Sequence, residues 1–195
     1  MPLYESTHFK GKTLELVFDK EVDVEDIYNR LIVTPKLKKL ENKPSYTYKV
    51  RGNTVILTLE SPLEEETTYT FNFNDAIKDI TEGNVAASPV LTFSTGAQLD
   101  AMYVTGRVEY LMTQLPVPQA LVALYKAADE DVNILNGPPD YFITADEEGR
   151  FTLDHIKQGS YHIYASKTKE SPLRVDLGTD AYGFLKAPID LTTAP

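Results

Sequence analysis

The side chains able to do chemistry in this sequence are mostly carboxylates, and the densest run of oxygen donors lies between Asp75 and Asn84. Asp75, Asp79, Glu82 and Asn84 offer oxygen ligands for calcium in a loop of suitable length, although their spacing departs from that of an EF-hand loop. The competing reading holds this loop by Asx turns, with Ile77 and Ile80 tucked under the neighbouring strands. Glu64-Glu65-Glu66 and Asp146-Glu147-Glu148 are further carboxylate clusters, and both read as solvated acidic turns rather than an acid–base pair. The three histidines, His8, His155 and His162, include no pair at metal-ligand spacing. There is no cysteine, which removes disulfides, thiolate metal sites and thiol nucleophiles. Nucleophile-elbow, phosphate-loop and zinc-protease patterns are missing as well. The inventory supplies no catalytic residues and no cofactor site beyond the calcium candidate, so the chain reads as a non-enzyme.

The residues around these candidates alternate with the period of an extended strand. In Thr68 to Asn74 every odd position is aromatic (Tyr69, Phe71, Phe73) and every even one polar, which puts three rings on one face of a sheet. Leu63, Thr67 and Tyr69 form the pattern L-x-x-x-T-x-Y, a tyrosine corner whose hydroxyl satisfies nearby backbone. Thr13 to Asp19 alternates with Leu14, Leu16 and Phe18 on one face, and Asp23 to Tyr28 forms at most one helical turn. Leu31 to Thr34 is a short strand ended by Pro35. Tyr46–Val50 and Thr54–Glu60 make a hairpin over Arg51-Gly52-Asn53, with Val55, Leu57 and Leu59 facing the core. Val90 to Thr95 closes the set with Leu91 and Phe93 inward, giving about seven strands in 96 residues, the number expected of an Ig-like sandwich.

A hinge at 97–100 leads to a second set. Tyr103 to Tyr110 is a strand whose Gly106 lets a bulky neighbour approach. Ala120 to Lys126 is the next, followed by a polar loop over 127–140. Tyr141–Ala145 and Arg150–Leu153 read as a hairpin around the acidic turn, and Ser160 to Ser166 alternates after Gln158-Gly159. Tyr182 to Leu185 and Ile189 to Leu191 offer one last strand. The fold class is therefore all-β: two β-sandwich domains in tandem, residues 1–96 and 101–195, separated by the linker.

Net charge is −10, split −4 up to Gly96 (11 basic, 15 acidic) and −6 beyond it (8 basic, 14 acidic). Neither half suits nucleic acid or an anionic membrane. Lys36, Lys38, Lys39 and Lys43 form a local basic cluster, read as a solvated loop or an edge strand kept from pairing, with anion binding the second reading. The longest apolar run, Ala120 to Tyr125, is too short to span a bilayer. The start Met1-Pro2-Leu3-Tyr4 shows no signal-peptide pattern, which fits a cytosolic protein or a piece of an exported one. Tyr46 with Tyr48, and Tyr141 with Tyr161 and Tyr164, are candidates for sugar stacking, weighed against plain core and rim packing.

Two resemblances rest on these residues. Leu14 to Asp19 with Val22, Thr34-Pro35, Leu63 with Thr68-Tyr69, Asp79 with Gly83-Asn84, and Phe93-Ser94-Thr95-Gly96 together resemble the SbsA-type bacterial Ig-like domain. Gly106-Arg107-Val108, Pro116 with Ala120 to Tyr125, Asp146 to Leu153, and Ile156 with Gly159 to Ile163 resemble the carboxypeptidase-regulatory-like fold, a transthyretin-like (prealbumin-like) sandwich without the zinc site of its namesake. That order of domains is similar to exported lipoproteins of Bacteroidetes. The resemblance implies an extracytoplasmic location, outer-membrane anchored or periplasmic, and a non-catalytic structural or recognition role in the cell envelope, as spacer or as platform for protein or glycan. It implies envelope proteins or glycans as partners, with no membrane insertion by this part. The alternative is an accessory domain pair of a larger secreted hydrolase whose catalytic unit lies elsewhere. An isopeptide weld of the pilin kind is not expected: Lys126 is a candidate, but the last asparagine is Asn136, with none on a final strand.

Overall fold

A computed structural model describes residues 5–80, 83, 89–129, 133–167, 175–176 and 178–192. The chain divides into two compact units, Met1–Leu99 and Asp100–Pro195. Apart from one helical turn at Ile27–Arg30, every regular element among the described residues is a strand.

In the first unit, β1 (Thr13–Val17), β2 (Val22–Val24), β3 (Ile32–Thr34), β4 (Tyr46–Arg51), β5 (Thr54–Leu59), β6 (Thr68–Asn72), β7 (Ile77–Asp79) and β8 (Val90–Ser94) form three antiparallel sheets: β1-β5-β4, β3-β6-β8 and the pair β2-β7. Alternation decides what lies between them. Leu14, Val55, Leu57 and Leu59 are buried from one sheet, and Tyr69, Phe71, Phe73 and Phe93 from the other. These side chains belong to a single apolar core. Phe93 stacks on Phe71 with ring centroids 5.7 Å apart, and Phe9 leans on it at 4.5 Å. The β4–β5 hairpin turns at Gly52, whose φ of +58° suits a residue without Cβ.

Three features of this unit differ from the sequence reading. β2 and β7 pair with each other, Val22 opposite Asp79, and each is too short for its alternation to stand out. Ile80, expected under the sandwich beside Ile77, is 60% exposed. The cause is pleat parity: Ile77 points inward from β7, so the residue three places on points out, while its N–H donates to the Glu21 carbonyl at 3.1 Å. Residues 5 to 9 also join the structure, Ser6 bridging Phe93 in parallel and Phe9 N–H donating to the Ser94 carbonyl at 3.0 Å.

The second unit contains β9 (Met102–Arg107), β10 (Leu121–Lys126), β11 (Tyr141–Thr144), β12 (Arg150–Ile156), β13 (Gly159–Lys167), β14 (Ala181–Phe184) and β15 (Ile189–Leu191). One sheet runs β11-β10-β13-β14, with β15 also on β13, and β12 pairs with β9. Leu124, Tyr141, Leu153, Ile156 and Tyr161 pack into one core, joined by Met102 and Val104 from β9. Gly106 behaves as its position implies: a Cβ there would lie 3.0 Å from the Phe151 ring. The expected β11–β12 hairpin is not formed. The acidic turn closes tightly, Gly149 N–H donating to the Asp146 carbonyl at 3.0 Å, but β11 then pairs with β10 and β12 with β9. The turn thus carries the chain from one sheet to the other. The tail gives two strands rather than one, and they follow each other along the same side of β13. Between Phe184 and Ile189 the tail advances five residues while β13 moves three, from Tyr164 to Tyr161, so residues 185–188 bulge.

Candidate functional site

The proposed calcium ligands begin at the turn that follows β6. Asp75 Oδ2 accepts from Arg30 Nη1 at 2.9 Å, and the same guanidinium nitrogen donates to the Asp75 carbonyl at 3.2 Å. Arg30 Nη2 also lies 3.6 Å from Glu25 Oε2, whose other cation is Lys78. The hydrogen bond from Lys78, then its charge and that of Arg30, holds the Glu25 carboxyl below the usual carboxylate range. Asp79 Oδ2 is 3.2 Å from Lys20 Nζ. Asp75 and Asp79 are thus each matched by a protein cation, and Asn74 Nδ2 donates to the Arg30 carbonyl at 2.7 Å, fastening the helical turn to this loop. Glu82 and Asn84 lie outside the described residues. Among the described residues, no three carboxylate or imidazole groups converge as a metal site would require.

The other carboxylate clusters serve turns. Asp146 Oδ1 accepts from the N–H of Glu148 at 2.9 Å and of Arg150 at 2.7 Å, and Glu147 accepts from Gln119 Nε2 at 2.8 Å. His155 stands 3.3 Å from Asp154, His8 beside Thr7, and His162 on β13 opposite Tyr125. Sequence reasoning missed Asp140. This carboxylate is buried at the entry to β11, where Oδ2 accepts the Lys126 N–H at 2.8 Å. Its one sequence signal, an acid just ahead of an aromatic strand, is shared by many exposed turns.

The tyrosines divide between fastening and packing. Tyr69 Oη accepts the Glu64 N–H at 2.9 Å, the bond expected of a tyrosine corner, and burial pushes this phenol up to about 12. Tyr46 donates to the Ile27 carbonyl at 3.2 Å and is likewise pushed up to about 12 by burial. In the second unit Tyr161 donates to the Lys157 carbonyl at 2.7 Å while Tyr141 accepts the Lys157 N–H at 3.1 Å, so two phenols grip one peptide turn. Burial raises the Tyr141 and Tyr125 phenols further still. Tyr28 stacks on Tyr46 at 5.4 Å and meets the edge of Tyr48 at 5.8 Å, covering the end of the first core. Tyr46, Tyr141 and Tyr161 are buried and offer no face to a sugar. The lysine cluster occupies the loop between β3 and β4, with Lys38, Lys39 and Lys43 exposed.

One surface feature that core packing does not explain is the turn after β9. Tyr110 N–H donates to the Leu115 carbonyl at 2.9 Å and Gln114 N–H to the Tyr110 carbonyl at 2.8 Å, while Glu109 bridges Pro116. This hydrogen-bonded tip holds Leu111 92% exposed and Met112 90% exposed, with Leu115 beside them, and the stretch Tyr110–Pro116 carries no charge. An exposed apolar tip of this kind is a surface on which other apolar groups can pack.

Residues 1–95 match the family model of the bacterial Ig-like domain. No curated protein matches the chain. Among solved structures the chain is similar to the major pilin subunit BcpA of Bacillus cereus, at 15% identity and a TM-score of 0.31, covering 93% of this chain and 55% of that one. It is also similar to a backbone pilin of Streptococcus pyogenes, at 11% identity and a TM-score of 0.28, covering 89% of this chain and 42% of that one. The chain therefore spans about half the length of these pilins. No helix among the described residues is long and apolar enough to cross a membrane.

Proposed function

We propose that this chain is a non-catalytic module of a bacterial cell-envelope protein, in which an Ig-like unit and a transthyretin-like unit act as a spacer that presents a recognition tip. The observation that carries this reading is the bacterial Ig-like match over residues 1–95, joined to functional-looking side chains that are spent on structure. Asp75, Asp79 and Asp146 fasten loops and turns, and the buried tyrosines bind backbone. The five-stranded sheet of the second unit and its separate β9–β12 pair support the transthyretin-like reading. Leu111 and Met112 favour a protein partner over a glycan, because sugars stack on aromatic faces and these side chains are aliphatic.

Location and contact are tested together. Antibody against the chain is expected to label intact cells of the source bacterium, and cross-linking on those cells is expected to capture an envelope protein through residues 110–115. Recovery of the chain solely from the cytosol overturns the envelope assignment. Capture that persists unchanged when Leu111 and Met112 are both replaced by serine overturns the tip.

A further inference from the structure

β14 ends its sheet, and all four of its residues are exposed. Which backbone groups it leaves open follows from one bond. Leu185 N–H donates to the Ile163 carbonyl at 3.3 Å, and these residues stand opposite each other in the β13–β14 register. In an antiparallel ladder hydrogen-bonded and non-bonded pairs alternate, so Gly183 and Ala181 also turn their N–H and C=O toward β13. Tyr182 and Phe184 therefore turn theirs outward, along an edge that no strand pairs among the described residues. Phe184 touches Tyr164, ring centroids 6.0 Å apart, yet remains 62% exposed.

The segment Asp180-Ala181-Tyr182-Gly183-Phe184-Leu185-Lys186 is self-complementary about Gly183. We propose that β14 pairs antiparallel with β14 of a second copy of this chain, across a two-fold axis through Gly183, joining two β13–β14 edges into one continuous sheet. In that register Tyr182 faces Phe184 of the second copy, and the outward N–H and C=O of both are the groups that bond. Each aromatic stands against an aromatic on the same face, a favourable cross-strand pair. Just beyond the paired strands, Asp180 of one copy and Lys186 of the other come to the same end of the ladder, so the aromatic pairs are flanked at both ends by opposite charges. Asp180 Oδ2 already accepts the Asp176 N–H at 2.9 Å, which holds its carboxylate at the start of the strand. On the other face Ala181 meets Leu185, and Gly183 meets its own copy in a non-hydrogen-bonded pair, where backbones come closest. Nothing lies within 4 Å of a Cβ built on Gly183, so a side chain placed there meets no neighbour within its own unit. Shifting the register by one residue points the outward groups at residues already bonded to β13, and shifting it by two in either direction leaves a single aromatic pair in place of two. The bulge at residues 185–188 confines the contact to β14, which makes it a small, concentration-dependent interface.

The full chain has no cysteine, so a single engineered thiol reports the register. Gly183→Cys is expected to oxidise to a disulfide-linked dimer about ten-fold or more faster than Ala181→Cys or Leu185→Cys alone, because only position 183 meets itself. A mixture of Ala181→Cys and Leu185→Cys is expected to cross-link with each other. Adding Lys186→Glu to Gly183→Cys should slow the reaction, and raising salt should then speed it. The unmodified chain is expected to approach twice its 21.9 kDa in sedimentation equilibrium as its concentration is raised toward ~1 mM. Equal cross-linking rates at positions 181, 183 and 185, or an unmodified chain that stays monomeric throughout that range, overturns the proposal. Circular dichroism on each variant keeps a folding defect separate from a lost contact.

Discussion

Removing one oxygen atom by Tyr69→Phe separates two effects of the tyrosine corner that oppose each other as pH changes. The ring of Tyr69 is buried and packs near Phe93, so the variant keeps its apolar contacts and loses only the acceptor for the Glu64 N–H at 2.9 Å. Losing that half-buried hydrogen bond costs about 1–2 kcal/mol at neutral pH. The hydroxyl carries an opposite liability. Burial pushes its pKa up to about 12 in the folded chain, against an ordinary value of 10.0. A raised folded pKa means that the stability linked to this group is fully present below pH 10 and is lost as pH climbs toward 12, because the unfolded chain releases its proton first. The loss relative to the phenylalanine variant is about 0.8 kcal/mol at pH 10.5 and about 2 kcal/mol at pH 12. Starting from a deficit of ~1.5 kcal/mol, the variant overtakes the parent at about pH 11. Tyr46 titrates over the same window in both proteins and cancels in the difference. Urea unfolding followed by far-ultraviolet circular dichroism at pH 7, 9, 10 and 10.5 measures the gap between parent and variant. A variant as stable as the parent at pH 7 refutes the corner bond, and a gap that stays constant from pH 9 to 10.5 refutes the buried phenol.

Three further outcomes follow from other sites. Gly149→Ala places a methyl 2.5 Å from the Val108 carbonyl at a φ of +73°, and should destabilise the second unit by about 2 kcal/mol or more in chemical denaturation. Because Arg30 and Lys20 already occupy Asp75 and Asp79, calcium at ~1 mM should leave the melting temperature unchanged, and a rise of several degrees that chelator reverses would restore the calcium reading. Replacing Leu111 and Met112 by serine should shift stability by less than about 0.5 kcal/mol while abolishing cross-linking to the envelope partner.

Side-chain alternation was readable wherever it ran for five residues or more. Tyr69, Phe71 and Phe73 are buried, as are Val55, Leu57 and Leu59, because each run commits a whole strand to one face and a slip by one residue would expose all three. β2 and β7 carry too few residues for the same signal, and Ile80 shows the error that follows when a strand is read as a loop. Asp75 and Asp79 were legible as oxygen donors. Their pairing with Arg30 and Lys20 was not, since those cations come from distant points of the chain.

Alternation fixes a face but leaves the partner open, and this limit explains the larger error in the second unit. Tyr141–Thr144 and Arg150–Ile156 are joined by a turn that is locally right for a hairpin, with glycine at positive φ and an aspartate bonding the following amides. They part because β11 lies along β10 over its whole length while β12 lies along β9. The same limit hid β14. Its sequence shows two aromatics around a glycine, while its open groups are known only once Leu185 is seen to bond Ile163. Once that parity is set, the charges at Asp180 and Lys186 acquire a meaning that neither has alone: they flank an edge that fits an inverted copy of itself.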